Sequence, residues 1–271
     1  MFGAVYGDVI GSYYEVHSTK SYDFVFMKES TFTDDSVMTA AVCRTILDDP
    51  SEITASGMKE RARQFAARYK QFYSYYPHAG YGKMFSAWAA ERGEPRRQSS
   101  FGNGGAMRAC PIGYAYTDIE QVLLQAKASC YYTHSHPQAI TGAQAVAAAV
   151  RLALDGADKS DIRQYIAKQS GYDLNRTVGQ LRPYTKFDSS SQGSVPLAII
   201  AFLDSDDYES AVRNAVSLGG DADTLACIAG GIAEAYYGEI PVHIKKFCDI
   251  RIDSTIRLTV NEFEEKYRAK K

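Results

Sequence analysis

No excess of positive charge is available to draw this chain to nucleic acid or to an anionic membrane. Lys and Arg total 30 against 32 Asp and Glu, a formal net charge of -2. Cysteine is sparse and forms no C-x-x-C pair. The five thiols (Cys43, Cys110, Cys130, Cys227 and Cys248) are odd in number, which argues against a disulfide scaffold and for a reducing compartment. No apolar run reaches the roughly 18 residues of a spanning helix. The start, Met1 to Asp8, has neither a basic stretch nor a long apolar one, so no signal peptide is expected. A cytoplasmic protein is the expectation. Also missing are β-α-β alternation, an internal repeat, and a linker marked by a shift in composition. With 45% hydrophobic and 23% charged residues over 271 positions, the chain can bury one large core.

The pattern that is present is helical. Apolar spacing predicts helices over 37–47, 59–72, 83–90, 119–131, 137–154, 161–169, 195–203, 208–216, 224–237 and 256–269. Thr33-Asp34-Asp35-Ser36 offers N-cap candidates before the first, Pro137 suits a first turn, and Gly238 suits a helix end. The best strand candidate is 22–27. Residues 175–194 carry no pattern and are expected to form a functional or surface loop. The fold expectation is one all-α domain over residues 1–271.

Two acidic clusters precede helices at opposite ends of the chain: Phe32-Thr33-Asp34-Asp35-Ser36 and Gly219-Gly220-Asp221-Ala222-Asp223-Thr224. Either could simply cap its helix, each cap contributing on the order of 1 kcal/mol. A cap needs one such side chain, whereas each cluster supplies two carboxylates and a hydroxyl. Hard divalent cations take oxygen ligands, and two such clusters brought together could hold a pair of ions. Between them lies Ser99-Ser100-Phe101-Gly102-Asn103-Gly104-Gly105-Ala106-Met107-Arg108, which is either a tight turn or a phosphate cradle at a helix start. No lysine follows its glycines, which disfavours a nucleotide triphosphatase. Thr133-His134-Ser135-His136-Pro137 lacks the further ligands of a zinc site and reads as a substrate contact or a cap. Glu15, near a start punctuated by glycines, would alone be a solvated surface residue.

Taken together, these segments resemble the ADP-ribosylglycohydrolase family. The resemblance rests on Gly7-Asp8-x-x-Gly11-Ser12-x-x-Glu15, the two acidic motifs, Ser100 to Arg108 and Thr133 to Pro137, which fall in the family's order. It implies an all-α fold with two magnesium ions, replaceable by manganese, at the floor of a cleft. Thr33, Asp34 and Asp35 would form one ligand set, and Asp221, Asp223 and Thr224 the other. Ser100, Gly102, Asn103, Gly104, Gly105 and Met107 would line the cradle for diphosphate and ribose. Phe101 would stack on adenine, and His134 would contact substrate. Glu15, on a mobile segment over the metals, would join Asp34 and Asp35 as a catalytic group. The reaction implied is release of ADP-ribose from a modified protein or from a small ADP-ribose conjugate. A bare ADP-ribose-binding module and a purely structural protein are the non-enzymatic alternatives, and the intact ligand set argues against both. The chain departs from the nitrogenase-regulating members in one respect: Pro77 to Gly82 offers no aspartate, so their arginine-specific mechanism does not carry over intact.

Overall fold

Fifteen helices make up the fold in the computed structural model, which describes residues 1–268. In chain order they are α1 (Phe2–Val16), α2 (Asp34–Asp48), α3 (Met58–Tyr75), α4 (Lys83–Ala90), α5 (Gly104–Met107), α6 (Cys110–Ala115), α7 (Ile119–Cys130) and α8 (Pro137–Leu154). There follow α9 (Lys159–Ser170), α10 (Val178–Leu181), α11 (Ser191–Leu203), α12 (Tyr208–Ser217), α13 (Ala222–Tyr237), α14 (Val242–Asp249) and α15 (Ser254–Tyr267). Each predicted helix is present, with ends moved by local caps. Ser190 accepts from the Gly193 amide and starts α11 ahead of the expected Val195. Asp118 caps α7, and Gly238 closes α13 at φ 78°. The predicted end at Ala269 lies outside the described residues.

The candidate strand over 22–27 is not a strand; among the described residues there are only two isolated bridges, Ser99 with His134 and Gly102 with Ser190. Side chains satisfy part of this segment's backbone in place of a neighbouring strand. The Tyr14 hydroxyl donates to the Val25 carbonyl at 2.6 Å, and Arg213 donates to the Phe24 carbonyl at 2.9 Å. The Arg213 guanidinium also lies 5.1 Å and 5.0 Å from the Phe24 and Phe26 ring centres.

At the centre is α13, buried along almost its whole length and packed against α1, α8, α11 and α12. A helix apolar on every side belongs in the middle of a domain. None of the described helices is long and apolar enough to cross a membrane. All five cysteines are free and buried.

Five helices have no counterpart among the predicted ranges (α1, α5, α6, α10 and α14), and the longest of them, α1, makes the closest of these contacts. Gly3, Gly7 and Gly11 recur every four residues and so share one face. They lie on Gly230, Ala226 and Ala222, which are spaced identically along α13. A Cβ added at Gly3, Gly7 or Gly11 would stand 2.5, 2.0 or 2.4 Å from the carbonyl oxygen of the facing residue. Glycine is used here for backbone proximity, which outweighs its poor helix propensity of about 1 kcal/mol per residue.

Gly7→Ala should therefore force the two helices apart and cost about 2–4 kcal/mol by urea denaturation. Gly57→Ala, whose new methyl would find nothing nearer than 3.6 Å, should stay within about 0.5 kcal/mol. Equal midpoints for the two variants would contradict the packing argument.

Candidate functional site

The close seating of α1 carries Asp8 and Glu15 to the place where α2 and α13 begin. Asp8, fully buried on α1, accepts from the Thr33 amide at 2.9 Å, the Thr33 hydroxyl at 2.7 Å and the Ser36 amide at 3.1 Å. It also accepts from the Ser36 hydroxyl. One carboxylate from a distant helix thus satisfies two of the amides that open α2. Thr33 completes the start, its hydroxyl accepting from the Asp35 amide at 3.3 Å. Capping is accomplished without Asp34 or Asp35, so neither carboxylate is needed as a cap.

Those two side chains meet the second acidic cluster. The Thr224 hydroxyl donates to Asp35 Oδ2 at 3.3 Å across 189 residues of sequence. Asp35 Oδ1 is buried with no hydrogen-bond partner. Asp221 stands at the N-cap position of α13 but makes no side-chain cap; its Oδ2 accepts instead from Asn103 Nδ2 at 2.7 Å. Asn103 Nδ2 also donates to Ser194 Oγ at 3.0 Å, tying the glycine loop to α11. Oxygens of Glu15, Asp221 and Asp223 lie within 4.8 Å of one another. Glu15, read alone as a solvated surface residue, is exposed but stands in the last turn of α1 over this cluster.

Six carboxyl groups consequently share one small volume, and among the described residues none forms a salt bridge with lysine, arginine or histidine. Desolvation and then the charges of Asp8 and Asp221 push Asp34 up to about 8. Burial, followed by neighbouring aspartates, drives Asp35 and Asp223 well above the usual range. Glu15, exposed at the surface but partly desolvated by the cleft around it, is raised by that desolvation and then by Asp221 and Asp8. Burial raises Asp8 and Asp221 as well, against hydrogen bonds that oppose it. An orphaned carboxylate oxygen within an all-oxygen donor set without counter-charge fits a hard divalent cation.

A cleft of about 480 Å³ opens above this floor. Ser100, Gly102, Asn103, Gly104, Met107 and His134 line it, as the motif implied. Three expected residues are placed otherwise. Phe101 is 57% exposed and packs edge-on against His136 outside the lining. Gly105 is buried, facing Cys130 and His134 rather than the cleft. Thr33 is also outside the lining, held by Asp8. The loop over 175–194 contains the short α10 and sends Phe187 and Ser189 into the cleft wall. Ser189 accepts the Asn103 amide at 2.9 Å.

Sequence reasoning missed Asp8, Lys83, Phe85 and Arg108. For Asp8 a signal existed: Asp8 and Glu15 are seven residues apart, on one face once α1 is a helix. The other rim, Gly80 to Met84, approaches Asp34 closely. The Asp34 amide donates to the Ala79 carbonyl at 2.6 Å, and a Cβ at Gly80 would lie 3.4 Å from Asp34 Oδ1. Pro77 to Gly82, which lacks the aspartate of some family members, still forms a wall of the site.

The chain is similar to known proteins over nearly its whole length. The family model described as ADP-ribosylglycohydrolase matches residues 1–268. The chain belongs to the ADP-ribosylglycohydrolase family. It is accordingly a glycohydrolase enzyme. It is 29% identical to ADP-ribosylhydrolase ARH3 of Homo sapiens, over 91% of this chain and 87% of that one. It is 26% identical to the ADP-ribosyl-[dinitrogen reductase] glycohydrolase of Rhodospirillum rubrum, over 87% of this chain and 79% of that one. A solved structure, an "ADP-ribosylglycohydrolase-related protein complex", shares the fold at a TM-score of 0.70 and 24% identity, covering 97% and 96% of the two chains.

The crowded carboxylates of this glycohydrolase make a stability prediction. A carboxyl whose pKa is higher folded than unfolded stabilises the fold while protonated, and that stability is lost as pH rises. For Asp34 the window runs from the ordinary 3.8 up to about 8. In a chelator the melting temperature should fall across that window, and millimolar magnesium should restore it mainly at the neutral end. A flat profile, or equal rescue at both ends, would count against the cluster as a cation site.

Proposed function

We propose that this enzyme is a magnesium-dependent hydrolase that cleaves the glycosidic bond at C1 of the distal ribose and releases ADP-ribose from a modified protein side chain. The observation that carries the reading is the Thr224–Asp35 contact at 3.3 Å, which joins the two Thr/Asp motifs at the floor of the glycine-loop cleft. Thr33, Asp34 and Asp35 on one side and Asp221, Asp223 and Thr224 on the other would hold two Mg²⁺, with Mn²⁺ an acceptable substitute. Bound there, such ions supply positive charge that orients the ribose hydroxyls and lowers the pKa of water.

The chain's own groups do the rest. Ser100 and the Gly102–Gly104 turn receive the diphosphate, with the first amides of α5 free of intrahelical acceptors. His134 contacts the same end, and the exposed Phe101 ring is available to stack on adenine. The distal ribose then lies over the carboxylates, whose negative charge stabilises an oxocarbenium-like transition state. Asp34 or Asp35 accepts the proton of the attacking water. Glu15, exposed in the last turn of α1 beside the floor, holds a proton for the leaving group. Gly80, Gly82, Lys83 and Met84 on the rim beside Asp34 are all exposed, leaving space for a leaving group as large as a protein. Five free, buried thiols suit a reducing compartment such as the cytoplasm.

ADP-ribose release from serine-linked and arginine-linked protein substrates, and from O-acetyl-ADP-ribose, should be measured with magnesium and with chelator. At least one substrate should turn over only with the metal. Asp34→Ala and Asp223→Ala should each lower that rate by about 100-fold or more while remaining folded. Undiminished release in either variant would remove the ligand assignment.

A further inference from the structure

In the cleft wall lies a buried cation that the reaction described above does not use. Arg108 is fully buried, yet its guanidinium faces no carboxylate among the described residues. It stacks 4.0 Å from the Tyr69 ring centre. Its Nη2 donates to the Ser129 carbonyl at 3.1 Å and to Thr133 Oγ1 at 2.6 Å, while Nε and Nη1 have no partner. Thr133 Oγ1 in turn lies 2.9 Å from His134 Nδ1.

The donor inventory of this chain of contacts decides the direction of each bond. A guanidinium has only donors, so the Thr133 oxygen must accept from Arg108. The one hydroxyl proton of Thr133 has a single partner in reach, the His134 Nδ1 lone pair. The opposite arrangement would make the Thr133 oxygen accept twice and leave its own proton buried without a partner, which costs about 1–3 kcal/mol of desolvation. Burial, and then the Arg108 charge, also hold the His134 pKa well below its usual value. The ring is therefore neutral at physiological pH.

We infer that Arg108, acting through the Thr133 hydroxyl, fixes His134 as the Nε2–H tautomer and so presents one neutral donor to the glycine loop. The geometry at the other end of the ring agrees. His134 Nε2 has no hydrogen bond to protein, and it lies 2.8 Å from where Gly104 would carry a Cβ and 3.8 Å from that position at Gly102. The ring lies over the turn proposed to hold the diphosphate, and its N–H is the only hydrogen it can offer there. Arg108 and Thr133 are positioning residues, and His134 is a binding donor rather than a proton-transfer group. The role given to the donor rests on the function proposed above; the tautomer does not.

Two-bond ¹H–¹⁵N correlation spectra of histidine-labelled protein without substrate test the tautomer, with His134→Asn identifying the His134 signals. The wild type should show a protonated Nε2 and a bare Nδ1. Thr133→Val should shift the proton toward Nδ1, Thr133→Ser should restore the wild-type pattern, and Arg108→Met should show both tautomers. On whichever ADP-ribose substrate turns over, Thr133→Val should raise KM about tenfold with kcat little changed, and Thr133→Ser should recover it. A wild-type His134 protonated at Nδ1, or spectra unchanged in Thr133→Val or Arg108→Met, would overturn the inference whatever the turnover assay shows. Absence of all turnover beside the expected spectra would strike the proposed function alone.

Discussion

A methyl group at Gly7 would stand 2.0 Å from a carbonyl oxygen of α13, and that near-contact of two backbones sets the position of everything chemical in this protein. Helix axes usually pack about 8–10 Å apart, at a distance set by the side chains at the contact. Here glycines on one helix and glycine or alanine on the other reduce those side chains almost to nothing. Asp8 and Glu15 ride on α1, so the closeness of the helices determines whether they reach the starts of α2 and α13. The Asp8 carboxylate then holds the first turn of α2 by four hydrogen bonds, and α2 delivers Asp34 and Asp35 to the cleft floor.

What this packing assembles is electrostatically unfavourable by itself. Six carboxyl groups come together at two helix N-termini, where the backbone dipoles favour negative charge by about 0.3–1 kcal/mol per group. Mutual repulsion and desolvation oppose them by considerably more, as the upward shift of Asp34 to about 8 shows. A fold that holds such a cluster with one buried carboxylate oxygen unpartnered gives up stability at the site of its chemistry. A bound cation would reverse the sign of that cost, and the same crowding would become affinity.

Much of the architecture was legible beforehand, for an identifiable reason. Amphipathic spacing marks the helices that bury one face, and 137–154 and 208–216 fall within a residue of α8 and α12. The acidic motifs were legible because they exceed what a cap requires. The failures also have physical causes. In α1, glycine serves helix–helix proximity, whereas in isolation it signals a turn, so the helix and the one-face relation of Asp8 to Glu15 were both hidden. The aromatic run at 22–27 has strand composition, but Tyr14 and Arg213 satisfy part of its backbone. Phe101 and Gly105 lie within the right motif, yet adjacent residues of a tight turn point in different directions, and the cleft receives only some of them. Arg108 ends that motif, and nothing local indicates that its guanidinium reaches the Thr133 hydroxyl beside His134.

The central claim is that the starts of α2 and α13 jointly hold divalent cations. Crystals soaked in manganese, measured near its absorption edge, test it directly. The account predicts strong anomalous peaks between Asp34 and Asp35 on one side and Asp221, Asp223 and Thr224 on the other. An anomalous map empty at that position, with the carboxylates ordered as described, would contradict it.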